Sequence, residues 1–152
     1  MDDIFYMSSK NVRIKDIDEI AKRINVKKTF MPQSTDVLEV EYCDGVMVNW
    51  FRMRLEDFQE LEDTKFLSDN KIKSIFCISH HSSHFPLILP HIKILLQEYG
   101  GWIGNDAEGF HPCFNISTLD TPTGSHRVFI NLDPKAGKTN KNSQFPYYRG
   151  NK

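Results

Sequence analysis

Apolar and polar positions along the chain change period several times, and each change predicts an element. The run "IFYMSS" (4–9) is short and apolar, which suits an opening strand. In "VRIKDIDEIAKRINV" the period becomes helical: Ile14, Ile17, Ile20, Ala21 and Ile24 share one face, and Lys15, Asp18, Glu19, Lys22 and Arg23 share the other. Pro32 and the Gln-Ser-Thr-Asp that follows end this pattern in a loop. Strict alternation then takes over. Leu38, Val40 and Tyr42 alternate with Glu39 and Glu41 up to Asp44-Gly45, and β-branched and aromatic residues resume at once. An Asp-Gly pair supplies the positive backbone angles of a tight hairpin turn, so strands near 37–43 and 46–54 are predicted to pair antiparallel.

Beyond the hairpin, Leu55, Phe58, Leu61 and Phe66 have the spacing of one or two helical turns, or of a packed loop. "KIKSIFCIS" (71–79) is apolar almost without interruption, the mark of a strand buried on both faces mid-sheet. Ile88, Ile92, Leu95, Leu96 and Tyr99 then trace a core helix over about 87–99, with Gly100 placed for a left-handed cap. Residues 101–103, "HPCFNIS" (111–117) and "HRVFINL" (126–132) predict further short strands. The order of elements describes an α+β domain: a mostly antiparallel sheet with two main helices packed on one face, as a single pair of layers. It occupies residues 1–134, and 135–152 form a basic tail, mobile in part.

Composition narrows the class. With 39% hydrophobic and 26% charged residues, the chain is globular, and its 152 residues suit one domain. The start "MDDIFYMSSK" has neither the basic nor the long apolar character of a targeting segment. No stretch reaches the roughly 18 uninterrupted apolar residues of a spanning helix. The expectation is a protein without membrane contact. Three widely spaced cysteines, Cys43, Cys77 and Cys113, predict free thiols in a reducing compartment, hence the cytoplasm.

The net charge of −1 argues against a nucleic-acid-binding surface over the whole chain, but the charge is unevenly spread. Residues 36–63 carry nine acids against Arg52 and Arg54, a net −7, whereas 121–152 carry six bases against Asp133, a net +5. The acidic stretch reads as a solvated face, or as a patch that docks a cationic partner through charge complementarity. Tyr42, Trp50, Phe51 and Phe58 are the aromatic residues available to anchor such an interface.

Four of the six histidines, His80, His81, His84 and His91, crowd into "CISHHSSHFPLILPH" (77–91). One His-x2-His pair with no matching Cys-x2-Cys is a poor zinc signature. The stretch reads first as a strand-to-helix junction: Ser82 or Ser83 offers an N-cap, Pro86 suits the first turn, and Pro90 marks a kink or the true start of the helix. A metal site or a catalytic histidine is the alternative. "AGKT" (136–139) lacks the earlier glycine of a phosphate loop, since Leu132 stands there, and Asp106 and Glu108 lack the pattern of a calcium loop. Cys113, two residues after His111, is the remaining nucleophile candidate. No motif implies a cofactor.

"LLQEYGGWIGNDAEGF" (95–110), with "IFCIS" and "LILPHIKI" before it, resembles a pattern found in small α+β immunity proteins of bacterial polymorphic and contact-dependent toxin systems. The matching positions build core and turn, so no functional residue carries over. The resemblance implies a stoichiometric inhibitor of a cognate toxin domain. An acidic surface would suit a basic toxin such as a nuclease, with Glu39, Glu41, Glu56, Asp57 and Glu60 steering and pairing and Trp50 as anchor. The competing expectation is a small hydrolase or nuclease, with or without a metal ion, that uses His81, His84 or His111.

Overall fold

The computed structural model describes residues 2–33 and 36–119. Strands β1 (Asp2–Ser8), β2 (Lys28–Phe30), β3 (Val37–Cys43), β4 (Val46–Met53), β5 (Ser74–His80), β6 (Trp102–Asn105) and β7 (Cys113–Phe114) form one sheet. Their order is β2-β3-β4-β5-β1-β6-β7, and every pairing is antiparallel. The helices are α1 (Ile14–Arg23), α2 (Leu61–Asp69) and α3 (Phe85–Tyr99). The α+β class follows directly. The expected strand at 126–132 and the tail at 135–152 lie outside the described residues.

Alternation along the central strands divides the interior into two cores. Ile4 and Tyr6 of β1, Phe76 and Ile78 of β5, and Val48 and Trp50 of β4 pack with Ile17, Ile20 and Ala21 of α1 and Ile88, Ile92 and Leu95 of α3. The intervening residues Phe5, Met7, Ile75 and Cys77 face the opposite side, where Phe58, Leu67, Ile72 and Phe110 meet them. Two helices thus share one face, as the pattern predicts. The second face is also covered in its centre, because Phe58, Leu67 of α2 and Phe110 pack on β5 and β1, so the sheet lies between two layers rather than under one.

Elements end where side chains take up the free backbone groups. Arg13 opens α1 in a capping box with Asp16, whose carboxylate accepts from the Arg13 backbone N–H at 2.9 Å. At the far end of α3, the Tyr6 hydroxyl donates to the Gly100 carbonyl at 2.8 Å and Ser8 Oγ to the Tyr99 carbonyl at 2.8 Å, tying helix to β1. Gly100 has φ 67° but ψ −164°, a glycine-only conformation rather than the left-handed helical cap expected. The helix runs through Pro90 and begins earlier than predicted, at Phe85. Three residues, "KTF", make the unpredicted edge strand β2, paired with β3.

Gly101 is fixed by contact as well as by φ of +100°. A Cβ there would lie 1.9 Å from the backbone oxygen of Met7, inside any tolerable separation. Replacement by alanine must push β6 away from β1 or break their pairing, so Gly101→Ala is expected to cost about 3 kcal/mol or more. Urea denaturation measures this, and a loss under about 1 kcal/mol would mean that the β1–β6 junction is looser than described.

Candidate functional site

The predicted site residues fall on both sides of the sheet, for a reason that lies in the hairpin. A regular two-residue turn at Asp44-Gly45 would set Glu39 opposite Trp50. Instead the register shifts between Glu41 and Cys43, so that Leu38 pairs with Trp50, Val40 with Val48, and Glu39 with Asn49. A one-residue shift reverses the facing of an entire strand. Trp50 therefore points into the α1/α3 core, where it is fully buried. It cannot anchor a surface partner, and neither can Tyr42 or Phe58, which are also core residues.

Glu39 and Glu41 face the other way, toward the side occupied by α2. Among the described residues the cover stops short: Phe58, Leu67 and Phe110 pack on Phe5, Met7, Ile75 and Cys77 of the central strands, and β2 and β3 carry no such layer on this side. Phe30 (59% exposed) and Met47 (41%) stand uncovered beside the carboxylates. Lys28, Thr29, Phe30, Glu39, Glu41 and Met47 line a groove of about 350 Å³. Glu41 is held between Lys27 and Lys28 at 3.9 and 3.8 Å and accepts from the Gly45 N–H at 3.1 Å. Glu39 lies across from Phe30 on one side and Asn49 on the other.

The remaining predicted acids follow β4. Glu56, Asp57 and Glu60 are exposed around Phe58, which inserts into the second core and so keeps this segment on the side of Glu39 and Glu41. Asp57 accepts from the Arg54 backbone at 3.0 Å and pairs with its guanidinium at 3.6 Å, closing the 3-10 turn. Asp63 is buried and accepts from the Gly109 N–H at 2.8 Å, so it organises a turn rather than adding to the surface charge. Of the six residues predicted to bind, five share one side of the sheet and Trp50 is on the other.

The histidines separate by role. His81 caps the 3-10 turn Ser82–His84, its Nδ1 accepting from the Ser83 backbone N–H at 3.3 Å, a task expected of Ser82 or Ser83. Its ring centroid lies 5.2 Å from that of His84. His80 is buried at the end of β5, with Nδ1 3.2 Å from the Ile78 carbonyl. Among the described residues, His80 Nε2 and His84 Nδ1 have no hydrogen-bond partner. His111 is exposed on the β6–β7 connection. His126 lies outside the described residues. No group of three or more histidine, cysteine or acidic side chains among the described residues is arranged to hold a metal ion. Cys113 has its thiol pushed up to about 11 by burial, which keeps it protonated and a poor nucleophile near neutral pH.

His91 is the histidine with the most complete set of partners. Trp50 Nε1–H donates to the Tyr42 hydroxyl at 3.1 Å; Tyr42 Oη lies 2.8 Å from His91 Nδ1; His91 Nε2 lies 2.9 Å from the Ile17 carbonyl. A carbonyl only accepts, so Nε2 carries the proton and Nδ1 receives the Tyr42 hydrogen. The sequence offered no sign of this beyond a histidine on the apolar face of a helix. No family model, curated protein or solved structure matches the chain.

Burial pushes the His91 pKa down to about 4, and that of His80 is lowered for the same reason. An unfolded histidine titrates near 6.5, so between these values the unfolded chain takes up the proton first, and stability falls as pH falls. Unfolding free energy is expected to be level above about pH 7 and to drop by roughly 2 to 3 kcal/mol toward pH 4 on account of His91. Urea titrations across this range check the slope, which should flatten in His91→Gln; an equal slope in that variant would place the effect elsewhere.

Proposed function

We propose that the protein is a binding protein of the immunity type, a stoichiometric inhibitor that occludes a basic toxin domain through the open, acidic half of its sheet. The observation that carries this reading is the uncovered face of β2–β4, where Phe30 and Met47 stand exposed among Lys28, Glu39 and Glu41. Apolar side chains rimmed by charge are the usual make-up of a protein-binding surface. The anchoring assigned to Trp50 from sequence passes to Phe30 and Met47, while Glu39, Glu41, Glu56, Asp57 and Glu60 keep their steering role.

The chemistry of the surface selects the partner. An acidic surface attracts a positively charged domain, such as one whose own groove binds a polyanionic nucleic acid, and raises the association rate most at low salt. Among the described residues no helix is long and apolar enough to cross a membrane. Inhibition of a toxin acting on cytoplasmic targets would require the protein in the same compartment, where its free cysteines also fit.

The test uses the purified toxin domain encoded by the neighbouring gene. Reversal of charge in Glu39→Lys, Glu56→Lys and Glu60→Lys together should slow association at least tenfold and remove most of its salt dependence. Phe30→Ala with Met47→Ala should raise the dissociation rate instead. Unchanged kinetics in both variants, with folding intact, would rule out this face as the interface.

A further inference from the structure

Arg52 is partly buried near the end of β4, on the α1 side of the sheet. Its guanidinium donates to the Val12 carbonyl at 3.3 Å and lies 6.0 Å from the centre of the Phe76 ring. Neither contact is a counter-charge. A half-buried guanidinium whose contacts among the described residues are a carbonyl and a ring retains donors suited to an incoming anion.

The space in front of it is a cleft of about 490 Å³ lined by Arg13, Ile14, Lys15, Met31, Pro32, Asp36 and Arg52. That volume falls within the range of about 300–1,000 Å³ common to small-molecule sites. The lining has two parts. Ile14, Met31 and Pro32 are apolar, and Met31 is 46% exposed although it is a large hydrophobic side chain. The charged part comprises three cations. Arg13 is matched by Asp16, with guanidinium contacts of 3.2 and 3.0 Å, and Asp36 is the one acid on the lining, so the cations Lys15 and Arg52 exceed it by one. The start of α1 is not itself the anion site, because Asp16 already closes its capping box.

We propose that this cleft binds a small amphipathic monoanion, a carboxylate carried on a short aliphatic body, with the carboxylate on Arg52 and Lys15 and the body against Met31, Pro32 and Ile14. The head-group chemistry follows from the single positive surplus and the planar donors of a guanidinium, which match a carboxylate in two parallel hydrogen bonds. The tail follows from the apolar lining. This site opens on the helix-covered side of the sheet and is independent of the proposed docking face.

The experiment titrates octanoate into the full-length, isotope-labelled protein and follows backbone amide shifts, with acetate, inorganic phosphate and octylammonium as separate probes. Octanoate should saturate and perturb residues 13–15, 31, 36 and 52, while acetate and phosphate bind at least tenfold more weakly and octylammonium leaves these signals in place. Arg52→Gln should weaken octanoate at least tenfold. Met31→Glu, at an exposed position, should do the same without loss of folding, which protects the test should Arg52→Gln prove unstable. Shifts scattered over the surface without saturation, phosphate binding as tightly as octanoate, or equal affinity in a folded Arg52→Gln would each overturn the proposal.

Discussion

The linked side chains Trp50, Tyr42 and His91, ending on the carbonyl of Ile17, hold the three parts of the larger core in one arrangement. They connect β4, β3, α3 and α1 across sequence separations of up to 74 residues. Each link contributes only about 1 kcal/mol net, but loss of one leaves a buried donor or acceptor bare, at a cost of about 1–3 kcal/mol. This difference makes the polar chain a device for specificity. Apolar packing of α3 against the sheet could tolerate a turn of the helix, whereas the hydrogen bonds to Tyr42 and Ile17 cannot.

Outward geometry depends on the same constraint. Tyr42 and Trp50 can both reach the interior only because the hairpin register shifts near its turn, and that shift turns Met47 and Asn49 outward along with Glu39 and Glu41. The inner chain and the outward-facing, half-buried acids Glu39 and Glu41 are thus two consequences of one register. Cover by α2 ends over the central strands because its anchors, Leu67, Phe58 and Phe110, meet Phe5 and Cys77 rather than the β2–β3 edge. What is left open is the surface on which the proposed function rests.

Much of the architecture was legible because burial imposes simple periods. The spacing of Ile14, Ile17, Ile20 and Ala21 marked α1, the unbroken apolar run marked β5 as central, and Asp44-Gly45 marked the hairpin. Elements without a strong period were not legible. Strand β2 is three mostly exposed residues whose only warrant is a neighbouring strand, and α2 presents just Asp63 and Leu67 as buried positions. The second layer was missed with it. Trp50 was read as a surface anchor, whereas the shifted register sets it opposite Leu38 inside the core, and one extra residue at a bulge leaves no mark in composition. His91 was unremarkable for a related reason: its partners, a tyrosine, a tryptophan and a backbone carbonyl, come together only in the fold. The acidic character of the 36–63 stretch survives in part, since Asp63, Asp57 and Glu41 are committed to local contacts.

The arrangement of the larger core depends on His91 as a neutral, fully bonded ring at its centre. Long-range nitrogen–proton spectra of the labelled protein report its tautomer and titration directly. The expected result is a proton on Nε2, a bare Nδ1 accepting a hydrogen bond, and no change from neutral pH down to about pH 5, since burial holds its pKa near 4. A proton on Nδ1, or a ring that charges near the ordinary histidine value of about 6.5, would show that the chain from Trp50 to Ile17 does not form.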